Sequence, residues 1–386
     1  MRGPAGAHSI VCFDRDREVC CVRERPAHIL ALSDCEMIQT AEQLTEVREA
    51  HRFDEKALDR YLADRLAGYR GPLQVMQFEG GQSNPTYLLR ASSGDYVLRK
   101  KPPGALLPRA HMIEREYRIL AALAATDVPV PRVHLLCEDS APIGTAFFVM
   151  DYVRGRLLRD PTLPGIEPAE RRAIYAEILR VLARLHAVDY EAIGLADYGK
   201  PGNYFERQIS RWSQQYEASK TREIPSMNRL MRWLREKIPD DDTSCIVHGD
   251  YRLDNLVLAA DVARVEAVLD WELSTLGHPL ADLAHSCAQY YLSIADQPLI
   301  DSTTSGIPSE REYVETYCRY TGRAGIPHWN FYLAFVIFRY AGIAQGVYRR
   351  GLQGNASSQE AIGLGEIVEV ASDKGWEIAQ RPELAP

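Results

Sequence analysis

Cys245-Ile-Val-His-Gly-Asp-Tyr-Arg-Leu-Asp-Asn-Leu-Val-Leu258, followed by Ala267-Val-Leu-Asp-Trp-Glu272, is the stretch on which the reading of this chain turns. Two short apolar, strand-like runs each end in polar side chains. Asp250, Asn255 and Asp270 are the three that a phosphoryl-transfer centre requires. One carboxylate holds the acceptor hydroxyl, while an amide and a second carboxylate hold Mg²⁺ against the nucleotide phosphates. Asp and Asn also cap ordinary turns between strands, so the assignment depends on what the rest of the chain supplies.

The spacing His248-Gly-Asp250-x-x-x-x-Asn255, then Asp270, is close to the kinase loop H-R-D-x-x-x-x-N and its later metal-binding Asp. Upstream, Phe78-Glu-Gly-Gly-Gln-Ser-Asn-Pro-Thr-Tyr87 lies between two strand signals. Gly80 and Gly81 permit a tight turn and close approach to a phosphate, which Ser83 and backbone N–H groups can bond. No Gly-Lys-Ser/Thr follows, so this is not a Walker A loop. Tyr96-Val-Leu-Arg-Lys-Lys101 then ends a strand in basic residues. Side chains alternate across a strand, so Val97 and Arg99 share one face, Leu98 and Lys100 the other. The register of the kinase V-A-I-K motif selects Arg99 as the cation on the α/β-phosphates, with Lys100 as the alternative. Arginine's planar fork suits phosphate oxygens. On the next helix Glu116 borders the apolar Tyr117, Ile119 and Leu120 and can pair with that cation, with Glu114 second in line.

Phe147–Gly155 is an apolar strand running into a linker, where the Asp151 carbonyl and Val153 N–H can meet adenine. Glu272 can assist the metal directly or through water. His248 is read as packing the loop and Asp282 as anchoring it. Arg252 either contacts substrate or braces the loop.

The chain of 386 residues is long enough for two lobes and a substantial core. With 46% hydrophobic and 25% charged residues it has an ordinary globular composition, and its net charge of −8 argues against general nucleic-acid binding. No run of about twenty apolar residues spans a membrane. Eight cysteines without a Cys-x-x-Cys read as reduced thiols, which implies a cytoplasmic setting.

Along the chain, residues 1–36 lack helical period and a signal-peptide core, and are expected to be a disordered or mis-called extension with Met37 as the native start. Thr40–His51 and Asp54–Ala67 read as short amphipathic helices, the second capped by Asp54. Strands are expected at 73–78, 86–91, 96–99, 133–138 and 145–152, with a helix over 110–125. Past Gly155 the pattern turns helical, over 168–187, 204–219, 226–237, 280–293, 309–322, 328–350 and 358–379, interrupted by a hairpin of 255–258 against 264–269. This predicts an α+β, two-lobed, protein-kinase-like fold. Residues 37–153 form a small antiparallel nucleotide-binding lobe with leading helices, and 154–386 a mainly helical lobe carrying the catalytic, metal and substrate groups.

These residues together resemble the aminoglycoside phosphotransferase family, from about Phe53 onward. Gly80–Tyr87, Leu98–Gly104, Pro201–Tyr204 and Asp270–Asp282 are similar to the branch containing the kinase domain of acyl-CoA dehydrogenase fusion proteins and bacterial 4-hydroxyacyl-CoA kinases. The resemblance implies an ATP- and Mg²⁺-dependent kinase, a hydroxyl acceptor such as a 4-hydroxyacyl-CoA thioester, and an acyl-CoA dehydrogenase acting downstream. The segment Thr316–Gln359 contains no Asp or Glu yet carries Arg319, Arg323, Arg339, Arg349 and Arg350, a bias that fits an anionic acceptor better than a polycation. An amino sugar, choline-like alcohol or nucleoside acceptor on the same fold, and a pseudokinase-like binding module, are the alternatives.

Overall fold

The structure, a computed structural model, describes residues 44–79, 84–102, 112–293, 297–353 and 359–383. The extension expected at 1–36 lies outside these residues.

The first part of the chain builds a six-stranded antiparallel sheet: β1 (Leu44–Thr45), β2 (Gln74–Phe78), β3 (Thr86–Ala91), β4 (Gly94–Lys100), β5 (Val133–Cys137) and β6 (Phe147–Asp151), in the order β1-β2-β3-β4-β6-β5. Helix α1 (Glu55–Arg65) begins where Asp54 accepts a hydrogen bond from the Ala57 N–H at 2.9 Å. Helix α2 (Ile113–Leu123) lies on the other side of the sheet. Alternation along β4 divides its side chains between two cores. Leu98 joins Tyr87, Phe147 and Val149 under α1, while Val97 joins Phe148, Met150 and Ile119 on the α2 side.

One expected helix is absent among the described residues. Within Thr40–His51 the described residues form the edge strand β1, paired with Gln77 and Phe78, and a single 3₁₀ turn at Glu49–His51. The exposed edge of β2 offers backbone partners that a short isolated helix lacks. Gln77 secures the segment further, accepting from the Arg48 N–H at 3.0 Å and meeting His51 Nδ1 at 2.8 Å.

After β6 the chain is mainly helical: α3 (Pro168–His186), α4 (Tyr204–Ser219), α5 (Pro225–Glu236), α6 (Pro279–Cys287), α7 (Glu310–Thr321), α8 (Trp329–Leu352) and α9 (Leu364–Ala379). Helix α7 has a reciprocal capping box between Ser309 and Glu312, and Gly322 closes it at φ +69°. Helix α8 is long and apolar enough to cross a membrane, but most of it is buried, Phe331 to Phe338 completely, among α4, α6 and α9. Cys137, Cys245, Cys287 and Cys318 are buried free thiols.

Two small sheets interrupt the helices. The expected hairpin is β9 (Leu256–Leu258) with β10 (Val265–Val268), extended by a third strand, β7 (Arg156–Leu157). Strand β8 (Cys245–Val247) pairs with β11 (Thr275–Gly277). Runs of two or three residues have no readable period, which is why β7 and β11 are silent in the sequence.

Candidate active site

Strand β8 delivers the chain to His248 with both following amides held from outside. The His248 and Gly249 N–H groups donate to Asp282 Oδ2 and Oδ1 at 2.6 and 2.8 Å, and Asp282 is buried in the first turn of α6. Gly249 sits at φ +84°, and a Cβ there would meet the Leu273 carbonyl oxygen at 2.8 Å. Only glycine satisfies both conditions. The His248 ring packs against Trp271, with Nδ1 accepting from the Asp250 N–H at 3.2 Å and Nε2 donating to the Leu269 carbonyl at 2.8 Å. It braces the loop and is turned away from the solvent.

Asp250 is gripped on both oxygens. Oδ1 meets His285 Nε2 at 2.9 Å and Arg252 Nε at 3.2 Å, while Oδ2 accepts from Asn255 Nδ2 at 3.2 Å. Burial works to raise this carboxyl. The hydrogen bond from His285 and the charge of the nearby Arg252 outweigh it and hold Asp250 well below the usual carboxylate range. Arg252 also pairs with Asp254 at 3.1 Å. Arg339 reaches in from α8, donating to the Gly249 carbonyl at 2.9 Å.

Asn255 and Asp270 are brought side by side by the β9–β10 hairpin, where the Leu269 N–H donates to the Asn255 carbonyl at 2.8 Å. Asn255 Nδ2 also donates to the Asp250 carbonyl at 2.8 Å, which assigns the amide nitrogen to that side and leaves Oδ1 as a donor oxygen for a cation. Asp270 adopts φ +62°, unusual for a residue with a side chain, and its carboxylate is 38% exposed. Among the described residues no three His, Cys, Asp or Glu side chains gather as a self-sufficient metal cage. A hard amide oxygen beside a partly open carboxylate is instead the donor set that suits Mg²⁺, which keeps water and phosphate oxygens as its other ligands.

The cation of β4 is Arg99. Its Nη1 meets Glu116 Oε1 at 2.5 Å and its Nη2 meets Asp270 Oδ1 at 3.2 Å, joining sheet, α2 and hairpin through one guanidinium. Burial pushes the Glu116 carboxyl upward and Arg99 draws it back down. Lys100 lies on the opposite face of the sheet, buried with its ammonium over the rings of Phe53 and Tyr87 at 5.4 and 5.7 Å, so it does not face the cleft. Glu114 pairs with Lys101. Glu272 accepts from Asn84 Nδ2 at 3.2 Å, spanning from the hairpin to the end of the glycine turn. Gly80, Gly81 and Ser83 lie outside the described residues.

A cavity of about 800 Å³ is lined by Arg99 and Glu116 on one side and by Asn255 and Asp270 on the other. Val97, Leu120, Met150 and Val268 supply apolar walls, and Asp151, Tyr152 and Val153 line it where the sheet strand leaves for the helical part. The Asp151 side chain is turned to His134 at 2.6 Å. Arg159 and Asp160, with Arg252, Asp254 and Gln297, also line the cavity.

His285 and Asn84 are site residues that the sequence reading does not single out, and Arg339 is one it names only within a charge bias. Asn84 stands inside the glycine segment and Arg339 among the arginines of the acid-free stretch, so both carried a signal. His285 lies three residues after Asp282, one helical turn along the same face. That spacing is its only mark.

A sequence profile of the phosphotransferase enzyme family matches residues 74–330. A Ralstonia eutropha protein assigned to the aminoglycoside phosphotransferases is 49% identical, its crystal structure matching 85% of this chain and 99% of its own with a TM-score of 0.78. Macrolide 2'-phosphotransferase from Brachybacterium faecium, at 22% identity and a TM-score of 0.54 over 86% of this chain and 100% of its own, shares the fold. Human acyl-CoA dehydrogenase family member 11 is 45% identical over 88% of this chain and 44% of its own length. Mouse acyl-CoA dehydrogenase family member 10 is 48% identical over 87% of this chain and 32% of its own length. The chain thus spans less than half of the curated relatives it matches. The kinase-like α+β fold accords with that profile, and the chain belongs to the phosphotransferase enzyme family, whose enzymes transfer phosphate to a hydroxyl.

Proposed function

We propose that the protein uses MgATP to phosphorylate the hydroxyl of a hydroxyacyl-CoA thioester, with 4-hydroxyacyl-CoA as the preferred acceptor. The observation that carries the nucleotide half is the single cavity onto which Arg99, Glu116, Asn255 and Asp270 all open. Adenine lies between Val97, Leu120, Met150 and Val268, bonded by the Asp151 carbonyl and Val153 N–H. Arg99 takes the α/β-phosphates. Asn255 and Asp270, with Glu272 assisting, would hold Mg²⁺, which would supply charge neutralisation to the phosphates. Asp250 orients the acceptor hydroxyl and takes its proton as the oxygen attacks in line. Residues 37–153 serve the nucleotide, and 154–386 carry the catalytic loop, the metal ligands and the acceptor site.

The acceptor half rests on two supports. Relatives at 45–48% identity carry acyl-CoA dehydrogenase names, and such a dehydrogenase is the enzyme we place downstream. Arg339, alone among the five arginines of the acid-free stretch, is hydrogen-bonded to the catalytic loop, where it favours an anionic acceptor. The other four lie elsewhere: Arg323 faces Asp241 at 3.8 Å, Arg319 bonds Thr316, and Arg349 and Arg350 end α8.

The test is ATP consumption across a panel of 4-hydroxypentanoyl-CoA, the free hydroxy acid, kanamycin and choline, with thermal shift by MgATP alone. Selective turnover of the thioester is expected. Turnover of kanamycin or choline instead overturns the acceptor assignment. Absence of any MgATP shift overturns the nucleotide site.

A further inference from the structure

We infer that His285 is a positioning residue for Asp250, donating from Nε2 to Oδ1 so that Oδ2 is the oxygen presented to the acceptor hydroxyl. The inference rests on the reading of Asp250 as the acceptor-orienting carboxylate and adds the group that orients it.

The geometry begins with α6. Asp282 in its first turn holds the backbone of His248 and Gly249, and His285, one turn later on the same face, holds the side chain of Asp250 at 2.9 Å. The helix is buried along its whole length, so both contacts come from one rigid element. Backbone and base are therefore fixed in a common frame, and a shift of α6 moves both together.

The tautomer follows from burial. His285 Nδ1 is buried and has no hydrogen-bond partner among the described residues. A buried N–H without an acceptor costs more than a buried lone pair beside apolar atoms, so the imidazole proton sits on Nε2. It points at Asp250 Oδ1. The opposite tautomer would set a nitrogen lone pair against a carboxylate oxygen at 2.9 Å, which is repulsive.

What surrounds each oxygen then separates the two. A carboxylate oxygen offers two lone-pair directions. Oδ1 accepts from His285 Nε2 and has Arg252 Nε beside it at 3.2 Å, an ion-pair contact without a hydrogen bond, so the space around it is taken. Oδ2 has one described donor, Asn255 Nδ2, and keeps the second direction for the hydroxyl proton. Without His285 the carboxylate can rotate about its Cβ–Cγ bond and offer either oxygen, so the productive orientation becomes one of several.

The experiment uses the full chain with His285→Phe, His285→Gln and His285→Asn, with 4-hydroxypentanoyl-CoA or water as acceptor of the ATP phosphoryl group. The Gln amide nitrogen can occupy the place of imidazole Nε2, whereas the Asn side chain is too short to reach Oδ1. We expect kcat to fall roughly 10- to 100-fold in the Phe and Asn variants with KM for ATP within about threefold, and the Gln variant to recover to within about fivefold of the natural enzyme. Adding His285→Phe to Asp250→Asn should cost nothing further, because the positioned group is already gone. Equal losses in the Gln and Asn variants, or a kcat within threefold for both Phe and Asn, overturn the inference. Should the Phe variant fail to fold, the Gln–Asn comparison carries the test alone. Retained turnover in Asp250→Asn by itself instead overturns the assignment of the base.

Discussion

Arg99→Lys isolates what the guanidinium contributes. Arg99 uses separate nitrogens for Glu116 and Asp270, at 2.5 and 3.2 Å, with only 8% of its side chain exposed. A lysine ammonium is a single point donor and cannot bridge both sides of the site. The lysine stays with Glu116, the more buried carboxylate at 2% exposure, and gives up the second contact. In the free protein that loss is small. Asp270 is 38% exposed, so its contact is screened by water and is worth about 0.5–1 kcal/mol. In the proposed nucleotide complex the second nitrogen would face a phosphate in a water-excluded site, where a charge-assisted hydrogen bond contributes about 1.5–3 kcal/mol. At 1.4 kcal/mol per decade, affinity for MgATP should fall roughly 10- to 150-fold while the unfolding free energy falls by about 1 kcal/mol or less. Arg99→Met supplies the contrast. It leaves Glu116 buried and unpaired, a situation that costs about 3–5 kcal/mol of stability. Calorimetric titration with a non-hydrolysable MgATP analogue, together with urea unfolding of each variant, measures both quantities. A lysine variant that binds within threefold of the natural protein would falsify the assignment of Arg99 as the two-pronged phosphate cation.

Three further outcomes follow from the same geometry. Asp250→Asn should lower kcat about 10²- to 10⁴-fold, the range of general-base contributions, with nucleotide affinity held within a fewfold; unchanged single-turnover kinetics would remove Asp250 from the mechanism. Asp282→Ala strands the buried N–H groups of His248 and Gly249, for a loss of about 2–6 kcal/mol; urea unfolding that shows less than 1 kcal/mol refutes its role as the anchor of the loop. His278 caps α6, its Nδ1 accepting from the Leu280 N–H at 3.2 Å; burial pushes the imidazole down to about 4, against the opposing pull of Asp241. The unfolded imidazole titrates near 6.5, so the unfolded chain binds more protons in between. Stability is full above pH 6.5 and declines as pH falls toward 4, by up to about 3 kcal/mol. His278→Asn keeps a cap acceptor that does not titrate and should flatten that part of the stability curve; an unchanged slope from pH 6.5 to 4.5 removes His278 as its source.

Local features were legible because their causes are local. Asp54 caps α1 through a bond to a residue three positions away. The period of two along β4 placed Val97 and Arg99 on one face and Leu98 and Lys100 on the other, which the two separate cores of the sheet reproduce. Thr40–His51 failed for the converse reason. Its helical pattern was outweighed by the open edge of β2, a partner about thirty residues away. The arginine-rich stretch was visible as composition, but composition carries no direction, and only Arg339 turns toward the catalytic loop.

By itself the sequence determined the chemistry at the centre of this protein. A carboxylate, an amide and a second carboxylate within twenty-odd residues, preceded by a basic strand end and an acidic helix, point to phosphoryl transfer because that order of groups is what the reaction needs. What only the tertiary structure decided is how those groups are held. His285 meets Asp250 across 35 residues, Arg339 meets Gly249 across 90, Arg99 meets Asp270 across 171 and Asn84 meets Glu272 across 188. Contacts of that range are set by how helices and sheet pack, where each side chain is chosen by the space left between elements. The residues next to it in the chain do not encode that choice.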